Sequence, residues 1–494
     1  MLRKVRLTLA ILFFIAITGL FLDFTGTLHA WLGWTAKLQF LPALLAMNVG
    51  VVIFLVVLTL LVGRVYCSVI CPLGVMQDIV SWVSGSRRKK KYRFSYSPAK
   101  NWLRYIVLAL FVIALVMGLN TFVALLAPYS AYGRIATNLL APIYRQGNNL
   151  LAYFAERANS YAFYEVDVWM KGAATLAVAI GTFIIIAILA WRGGRTYCNT
   201  ICPVGTVLGF LSRFSLFRVT IDKSKCNHCG LCSRRCKASC INGSDHTIDY
   251  SRCVACMDCI DTCNHGAIGL TLRRKKSETG EEEPIDTSRR TFIAITAATA
   301  GTAALKSEEK AVDGGLAVIE EKKIPRRATP IVPPGARSLR HMARHCTACQ
   351  LCVSACPNGV LRPSTRLDTL MQPEVSYERG YCRPECTRCS EVCPAGAIIK
   401  ITTAEKSAIH IGHAVWVKEN CVPLTDGVEC GNCARHCPVG AIQMVPSEPG
   451  NDASPRIPVV DTERCIGCGA CENLCPARPF SAIYVEGHER HRVM

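Results

Sequence analysis

The chain carries 29 cysteines in 494 residues, and 24 of them fall into six quartets of nearly constant spacing. Cys465, Cys468, Cys471 and Cys475, followed by Pro476, form C-x2-C-x2-C-x3-C-P. Cys346, Cys349, Cys352 and Cys356 with Pro357 repeat it unchanged. Cys382, Cys386, Cys389 and Cys393 with Pro394 widen the first gap by one residue, and Cys421, Cys430, Cys433 and Cys437 with Pro438 widen it to eight. Cys226, Cys229, Cys232 and Cys236, then Cys253, Cys256, Cys259 and Cys263, keep the spacing with Lys237 and Asn264 in place of the proline. Three thiolates two residues apart wrap one face of a cubane iron–sulfur cluster, and the fourth leaves the loop to ligate a second cluster. Zinc knuckles use paired C-x2-C and disulfides follow no fixed triplet spacing, so neither accounts for the run. Six quartets imply six [4Fe–4S] clusters in three pairs, in a chain built to conduct electrons.

Under the same cross-ligation rule, Cys226, Cys229, Cys232 and Cys263 hold one cluster, and Cys253, Cys256, Cys259 and Cys236 hold its neighbour. Cys240 is left over and is expected to be a bystander. Four quartets are followed by glycine and a short apolar step: HGAI at 265–268, NGV at 358–360, AGAI at 395–398 and VGAI at 439–442. That recurrence marks duplicated modules.

Four further cysteines form a second repeat. GRVYCSVICPLG at 63–74 and GRTYCNTICPVG at 194–205 each contain C-x3-C-P: Cys67 and Cys71 before Pro72, Cys198 and Cys202 before Pro203. The repeat predicts two homologous hairpins related by pseudo-symmetry, with four thiols where they pack. Three chemistries compete: an extra metal centre held by four thiolates, redox-active disulfides, or a structural turn with small buried thiols. Spacing does not separate them.

The elements that position these groups follow from hydropathy. Apolar runs at about 5–22, 41–63, 102–126 and 172–191 each have roughly the 20 residues that cross about 30 Å of hydrocarbon. They predict a four-helix transmembrane unit of two hairpins. Arg3, Lys4 and Arg6 precede the first run, Arg64 and Arg87 to Arg93 follow the second, and Arg192 and Arg195 follow the fourth. The positive-inside rule then puts the N-terminus and residues 192–288 in the cytoplasm. The net charge of +20 is largely this flanking charge, and nothing points to nucleic acid. The 127–171 loop is rich in aromatics. Tyr129, Tyr132 and Arg134 are candidates for a quinone site, against the plainer reading of an interfacial aromatic belt. The four runs contain no histidine and the chain has no C-x-x-C-H, so no haem is expected.

Residues 287–305, TSRRTFIAITAATAGTAAL, match the twin-arginine export pattern at Ser288, Arg289, Arg290 and Phe292. Such signals carry proteins already folded around cofactors to the export machinery. The expected organisation is a transmembrane domain at 1–221, a cytoplasmic two-cluster domain of ferredoxin-like fold at 222–272 and a linker at 273–338 that carries a short signal-anchor helix within the twin-arginine segment. An exported α+β four-cluster domain follows at 339–494, with residues 306–494 periplasmic. The setting is a bacterial inner membrane, crossed several times.

The first 275 residues resemble the NapH-type membrane ferredoxins, with four spans, two C-x3-C-P motifs and a two-cluster domain. Residues 287–494 resemble the NapG-type polyferredoxins, which begin with a twin-arginine signal and carry four clusters. The chain looks like a fusion of the two. In that family the two chains pass electrons from quinol to periplasmic nitrate reductase, and related pairs serve nitrous oxide and methylamine systems. The resemblance therefore implies a quinol dehydrogenase component or electron carrier of anaerobic respiration. Its partners would be the quinone pool and a periplasmic reductase or cytochrome. A redox maturation factor, or a relay from a cytoplasmic donor, are the alternatives. The resemblance also implies nested pairing in the second module. Cys346, Cys349 and Cys352 would share a cluster with Cys475, and Cys465, Cys468 and Cys471 with Cys356. The inner sets would be Cys382, Cys386, Cys389 with Cys437, and Cys421, Cys430, Cys433 with Cys393.

Overall fold

The computed structural model describes residues 1–87, 94–273 and 320–493. The twin-arginine segment at 287–305, most of the linker and the basic stretch 88–93 lie outside the described residues. The apolar half is a bundle built on α1 (Leu2–Leu22), α2 (Val49–Val62), α5 (Asn101–Met117) and α7 (Ala173–Gly193). By length and composition, α1 and α7 are the two described helices able to cross a membrane.

The second and third apolar runs are not single helices. The second is split between Phe40–Leu45 and α2, with Met47 at positive φ between them. Asn48 then caps α2 by accepting from the Val51 N–H, a residue type suited to that position. The third run breaks at Gly118. There the Leu119 N–H bonds the Ala114 carbonyl and the Gly118 N–H bonds that of Leu115, the paired closure of a Schellman turn. The chain restarts as Asn120–Leu126.

Each C-x3-C-P repeat folds the same way. α3 (Val65–Val69) and α4 (Pro72–Arg87) follow α2; α8 (Thr196–Thr200) and α9 (Pro203–Ser212) follow α7. The prolines stand at the first helical position, where no N–H is needed and φ is already helical. In one copy the N–H groups of Ile70 and Cys71 both bond the Tyr66 carbonyl; in the other, those of Ile201 and Cys202 bond the Tyr197 carbonyl. Between the repeats lies α6 (Pro128–Ile135), with every residue buried.

The first iron–sulfur module begins at Phe217, ahead of the expected boundary at 222. Its antiparallel strands Phe217–Ile221 and Ile268–Leu272 pair in register from Phe217↔Leu272 to Ile221↔Ile268. The Leu216 N–H bonds the Leu60 carbonyl, which fixes this sheet to the end of α2. The second module has short helices after each cysteine triplet and three antiparallel pairs, the longest joining Ile409–Trp416 to Ile483–Val493.

The two modules touch opposite ends of α1. Arg3 pairs with Asp258 and Asp261 of the first module. The Ser354 hydroxyl of the second donates to the Phe21 carbonyl. Eighteen residues at about 1.5 Å each separate these contacts by about 27 Å. The other helices run between the same two layers. α5 meets the first module where Arg104 bonds Ser251. Just past its far end, Thr121 bonds the Leu367 carbonyl of the second. α7 starts beside Lys171, which donates to the Val353 carbonyl, and ends where the Arg195 N–H bonds Lys237 of the first module.

Candidate functional site

None of the 29 cysteines is in a disulfide. In the first module, a cavity of about 20 Å³ is lined by Cys226, Cys229, Cys232 and Cys263. Its neighbouring thiols, Cys253, Cys256, Cys259 and Cys236, also group: Cys259 lies within electrostatic range of Cys256, Cys253 and Cys236. The structure thus brings together both sets expected from the cross-ligation rule. Cys240 lies beside the second of these sets. Its Sγ is 3.5 Å from that of Cys236, and it also contacts Cys253.

The second module departs from the nested pairing. Cys346, Cys349 and Cys352 each lie within range of Cys393, not Cys475. Cys382 and Cys389 have Cys356 and Cys386 as neighbours. A cavity of about 30 Å³ is lined by Cys421, Cys430, Cys433 and Cys475. Burial pushes the Cys433 thiol up to about 11, with Cys430, Cys475 and Cys421 adding to it. Burial likewise pushes Cys468 up to about 12, with Cys465 and Cys437 among its neighbours. The sets brought together are therefore Cys346, Cys349, Cys352, Cys393; Cys382, Cys386, Cys389, Cys356; Cys421, Cys430, Cys433, Cys475; and Cys465, Cys468, Cys471, Cys437. The reason is local. The helix Leu351–Ala355 packs on Arg388–Val392, and Asn432–Arg435 packs on Ala470–Leu474, so each fourth cysteine reaches the loop of its paired quartet. The eight-residue gap after Cys421 does not remove it from its set.

The donor sets suit clusters better than single ions. Among the described residues, no three His, Cys, Asp or Glu side chains converge closely enough to hold one metal ion. A cubane spreads its four thiolates wider than a zinc ion does. The residues that follow three of the fourth cysteines also have a use. The N–H groups of Ile398, Ala441 and Ala482 point at the sulfurs of Cys393, Cys437 and Cys475 at 3.4, 3.2 and 3.3 Å. Such bonds favour the anionic sulfur and tune cluster potential.

The four C-x3-C-P thiols meet inside the bundle. Cys67, Cys71, Cys198 and Cys202 are all buried. Cys71 lies within range of Cys198 and Cys67, and Cys202 within range of all three others. The arrangement is reciprocal. The Arg64 guanidinium donates to the Cys198 carbonyl at 3.1 Å, and that of Arg195 donates to the Cys67 carbonyl at 2.6 Å. Gly74 and Gly205 allow this crossing. A Cβ at either would lie 2.3 Å from the cysteine carbonyl of its own repeat and under 3 Å from the partner repeat's arginine.

This quartet touches both modules. Arg64 also donates to the Ser251 carbonyl of the first module at 3.0 Å. On the other side, Tyr197 lies within range of Cys202 and Cys198 and of Arg134 on α6. Arg134 in turn lies within range of Cys349. Tyr129 faces Cys349 and Cys393. Sequence reasoning singled out Tyr129, Tyr132 and Arg134 as a quinone site or an interfacial belt. They are 2%, 0% and 0% exposed and serve as the packing layer between the quartet and the second module. Arg64 and Arg195 were noted only as flanking charge. Their place inside the invariant half of each GR-x-YC repeat was the available signal.

Comparison with known proteins agrees with this division. A 4Fe-4S binding domain model matches residues 44–91 and 175–222, the two C-x3-C-P repeats. A 4Fe-4S dicluster domain model matches residues 345–397 and 428–478, which keeps neighbouring quartets together. The ferredoxin-type protein NapH of Escherichia coli is 25% identical over 241 residues, 47% of this chain and 70% of its own length. The methylamine utilization ferredoxin-type protein MauN of Methylobacillus flagellatus is 26% identical over 224 residues, 44% of this chain and 65% of its own. The ferredoxin-type protein NapF of Escherichia coli is 29% identical over 159 residues, 32% of this chain and 87% of its own. The chain is a multidomain protein with two pairs of 4Fe-4S binding domains, similar to ferredoxin-type proteins of the Nap and Mau kinds.

Proposed function

We propose that the chain is a membrane-bound electron relay. It takes electrons from quinol and delivers them to an acceptor on the far side of the membrane. The acceptor would be a periplasmic reductase of the nitrate-reductase kind, or a cytochrome. The four bundle helices are the spans. The modules sit on opposite faces, which fits their contacts about 27 Å apart on α1 and a hydrocarbon layer of about 30 Å. The export signal at 287–305 accounts for the second module's side. The likeness to NapH and MauN supports the first half, and the NapG-like fusion accounts for the second.

The observation that carries this reading is the buried thiol quartet held between the modules. Two sets of clusters with nothing between them would not form one path. Cys67, Cys71, Cys198 and Cys202 would hold a seventh [4Fe–4S] centre, beside the six in the modules. Arg64 and Arg195 are fully buried beside them, Arg195 paired with Asp78, and Arg134 is fully buried on the α6 side. Arg134 Nε and Nη2 and Arg64 Nε have no acceptor. Buried cations are costly unless compensated, and four thiolates around a cluster supply negative charge that two disulfides would not. Burial of all four thiols also counts against their acting directly on a partner protein. When bound, the clusters take up and pass on single electrons. The residues hold the thiolates, exclude water and set the potential through Arg64, Arg195, and Gln77, whose amide donates to Cys198 Sγ at 3.1 Å.

The test uses purified full-length protein and the Cys67/Cys71/Cys198/Cys202→Ser variant. The variant should lose one cluster's worth of iron and sulfide. In the wild type a reduced quinol should bleach clusters of both modules; in the variant only the first module should respond. Unchanged iron content would sink the seventh centre.

A further inference from the structure

A cavity of about 790 Å³ lies on the flank of the bundle, between α1 and α4. Its mouth is framed by Leu7, Ile11, Ile79 and Trp82, all exposed on the apolar surface. Its other end is polar. Arg3, Arg6, Arg234, Arg235 and Lys237 line it together with Asp78 and Asp258. We infer that this cavity binds the ring of a prenylated quinone, the tail leaving between α1 and α4 into the lipid. The inference rests on the relay reading and assigns its electron-donor site.

Three features favour that occupant. The exposed mouth residues are apolar, so the ligand arrives from a hydrocarbon phase. The charges at the polar end already satisfy one another: Asp78 bonds Arg6 at 2.5 Å, Arg195 at 2.7 Å and Lys237 at 2.9 Å, and Lys237 reaches Asp258 at 3.1 Å. Among the described residues, Arg6 Nε is a buried donor without an acceptor. That N–H can donate to the carbonyl oxygen of a quinone ring. Finally, the polar wall is made of residues next to cluster ligands. Lys237 follows Cys236, and Asp258 precedes Cys259. Through Arg195, the same wall reaches the Cys67 carbonyl. The volume lies within the range of small-molecule sites. The smaller cavity at Arg145, Trp169 and Lys171, about 270 Å³, makes a useful contrast.

Gly85 provides the test. It lines the cavity, and a Cβ there would meet nothing within 4 Å. Gly85→Trp therefore starts a bulky side chain from open space at the cavity wall. Full-length holoprotein in lipid nanodiscs would be photolabelled with a short-tailed azido-quinone, and the labelled peptides mapped. The label is expected on α1 and α4, competed by unlabelled quinone, and reduced at least tenfold in Gly85→Trp with cluster absorbance unchanged. Label on the Arg145–Lys171 segment, undiminished label in Gly85→Trp, or competition by phosphatidylglycerol but not by quinone would each overturn the assignment. Reduction of the clusters by quinol, read in the same samples, separates the two claims. Quinol-driven reduction with the label elsewhere removes this site and leaves the relay. Label at the cavity with no reduction by quinol upholds the site and removes the relay.

Discussion

Replacing Gly133 with alanine probes the junction between the bundle and the second module. A Cβ at this position would lie 2.3 Å from the carbonyl oxygen of Cys349 and 2.9 Å from Phe21 Cζ. Ordinary contact begins at 3.4 Å, so the carbonyl must retreat by 3.4 − 2.3 = 1.1 Å. Neither neighbour yields cheaply. The carbonyl belongs to a cysteine loop, and Phe21 is fully buried against Tyr129 and Tyr132. Overpacking of this kind costs about 1–3 kcal/mol. The gain in helix propensity from alanine applies whether or not the module is docked, so it cancels from the docking equilibrium. Docking should therefore weaken by roughly 5- to 140-fold. Hydrogen exchange of peptides covering 128–135 and 346–356 would register the loosening. Stopped-flow absorbance after mixing with quinol would register slower reduction of the second module, with the first module's rate unchanged. Gly147→Ala is the control, since a Cβ there meets nothing within 4 Å. If Gly133→Ala matches that control in both exchange and kinetics, the proposed contact path through α6 is wrong.

Other expectations follow from the same geometry. Asp78→Asn leaves Arg6, Arg195 and Lys237 around a neutral amide, and breaking a buried ion network of this kind costs about 3–5 kcal/mol; faster protease cleavage at the first module would report it, and wild-type resistance would refute it. Cys393→Ser should alter the electron paramagnetic resonance signal of the cluster held by Cys346, Cys349 and Cys352, while Cys475→Ser alters that of the Cys421 set; nested pairing requires the reverse. Burial, then the neighbouring His488, lowers His491 to about 4. Its neutral form is favoured in the fold, so its contribution is complete above about pH 6.5 and is lost as pH falls toward 4. Between pH 7 and pH 5 this amounts to about 1–2 kcal/mol after allowance for partial solvent contact. The second module's melting temperature should fall accordingly, and less so in His491→Phe; equal pH slopes in the two proteins would refute the assignment.

Much of this was open to reading from the chain alone. Cysteine spacing is a local property. A C-x2-C-x2-C-x3-C run can wrap a cluster whatever lies elsewhere, so the ligand triplets and the duplicated modules were legible. The C-x3-C-P repeat was visible too, because its turn is built from bonds within five residues. Hydropathy located the apolar bundle but not its helix ends. The breaks at Met47 and Gly118 depend on capping bonds that composition does not reveal.

What tertiary structure alone decided concerns groups far apart in sequence. The fourth cysteine of each quartet goes to whichever loop packs beside it. Helix packing inside the second module, rather than family resemblance, made that neighbour the adjacent quartet. The meeting of Cys67 and Cys71 with Cys198 and Cys202 required two hairpins to close on each other, with Arg64 and Arg195 exchanged between them. The α6 segment reads as an aromatic loop because nothing local shows that Cys349 will cover it. Burial comes from the partner surface, and that surface lies more than two hundred residues downstream.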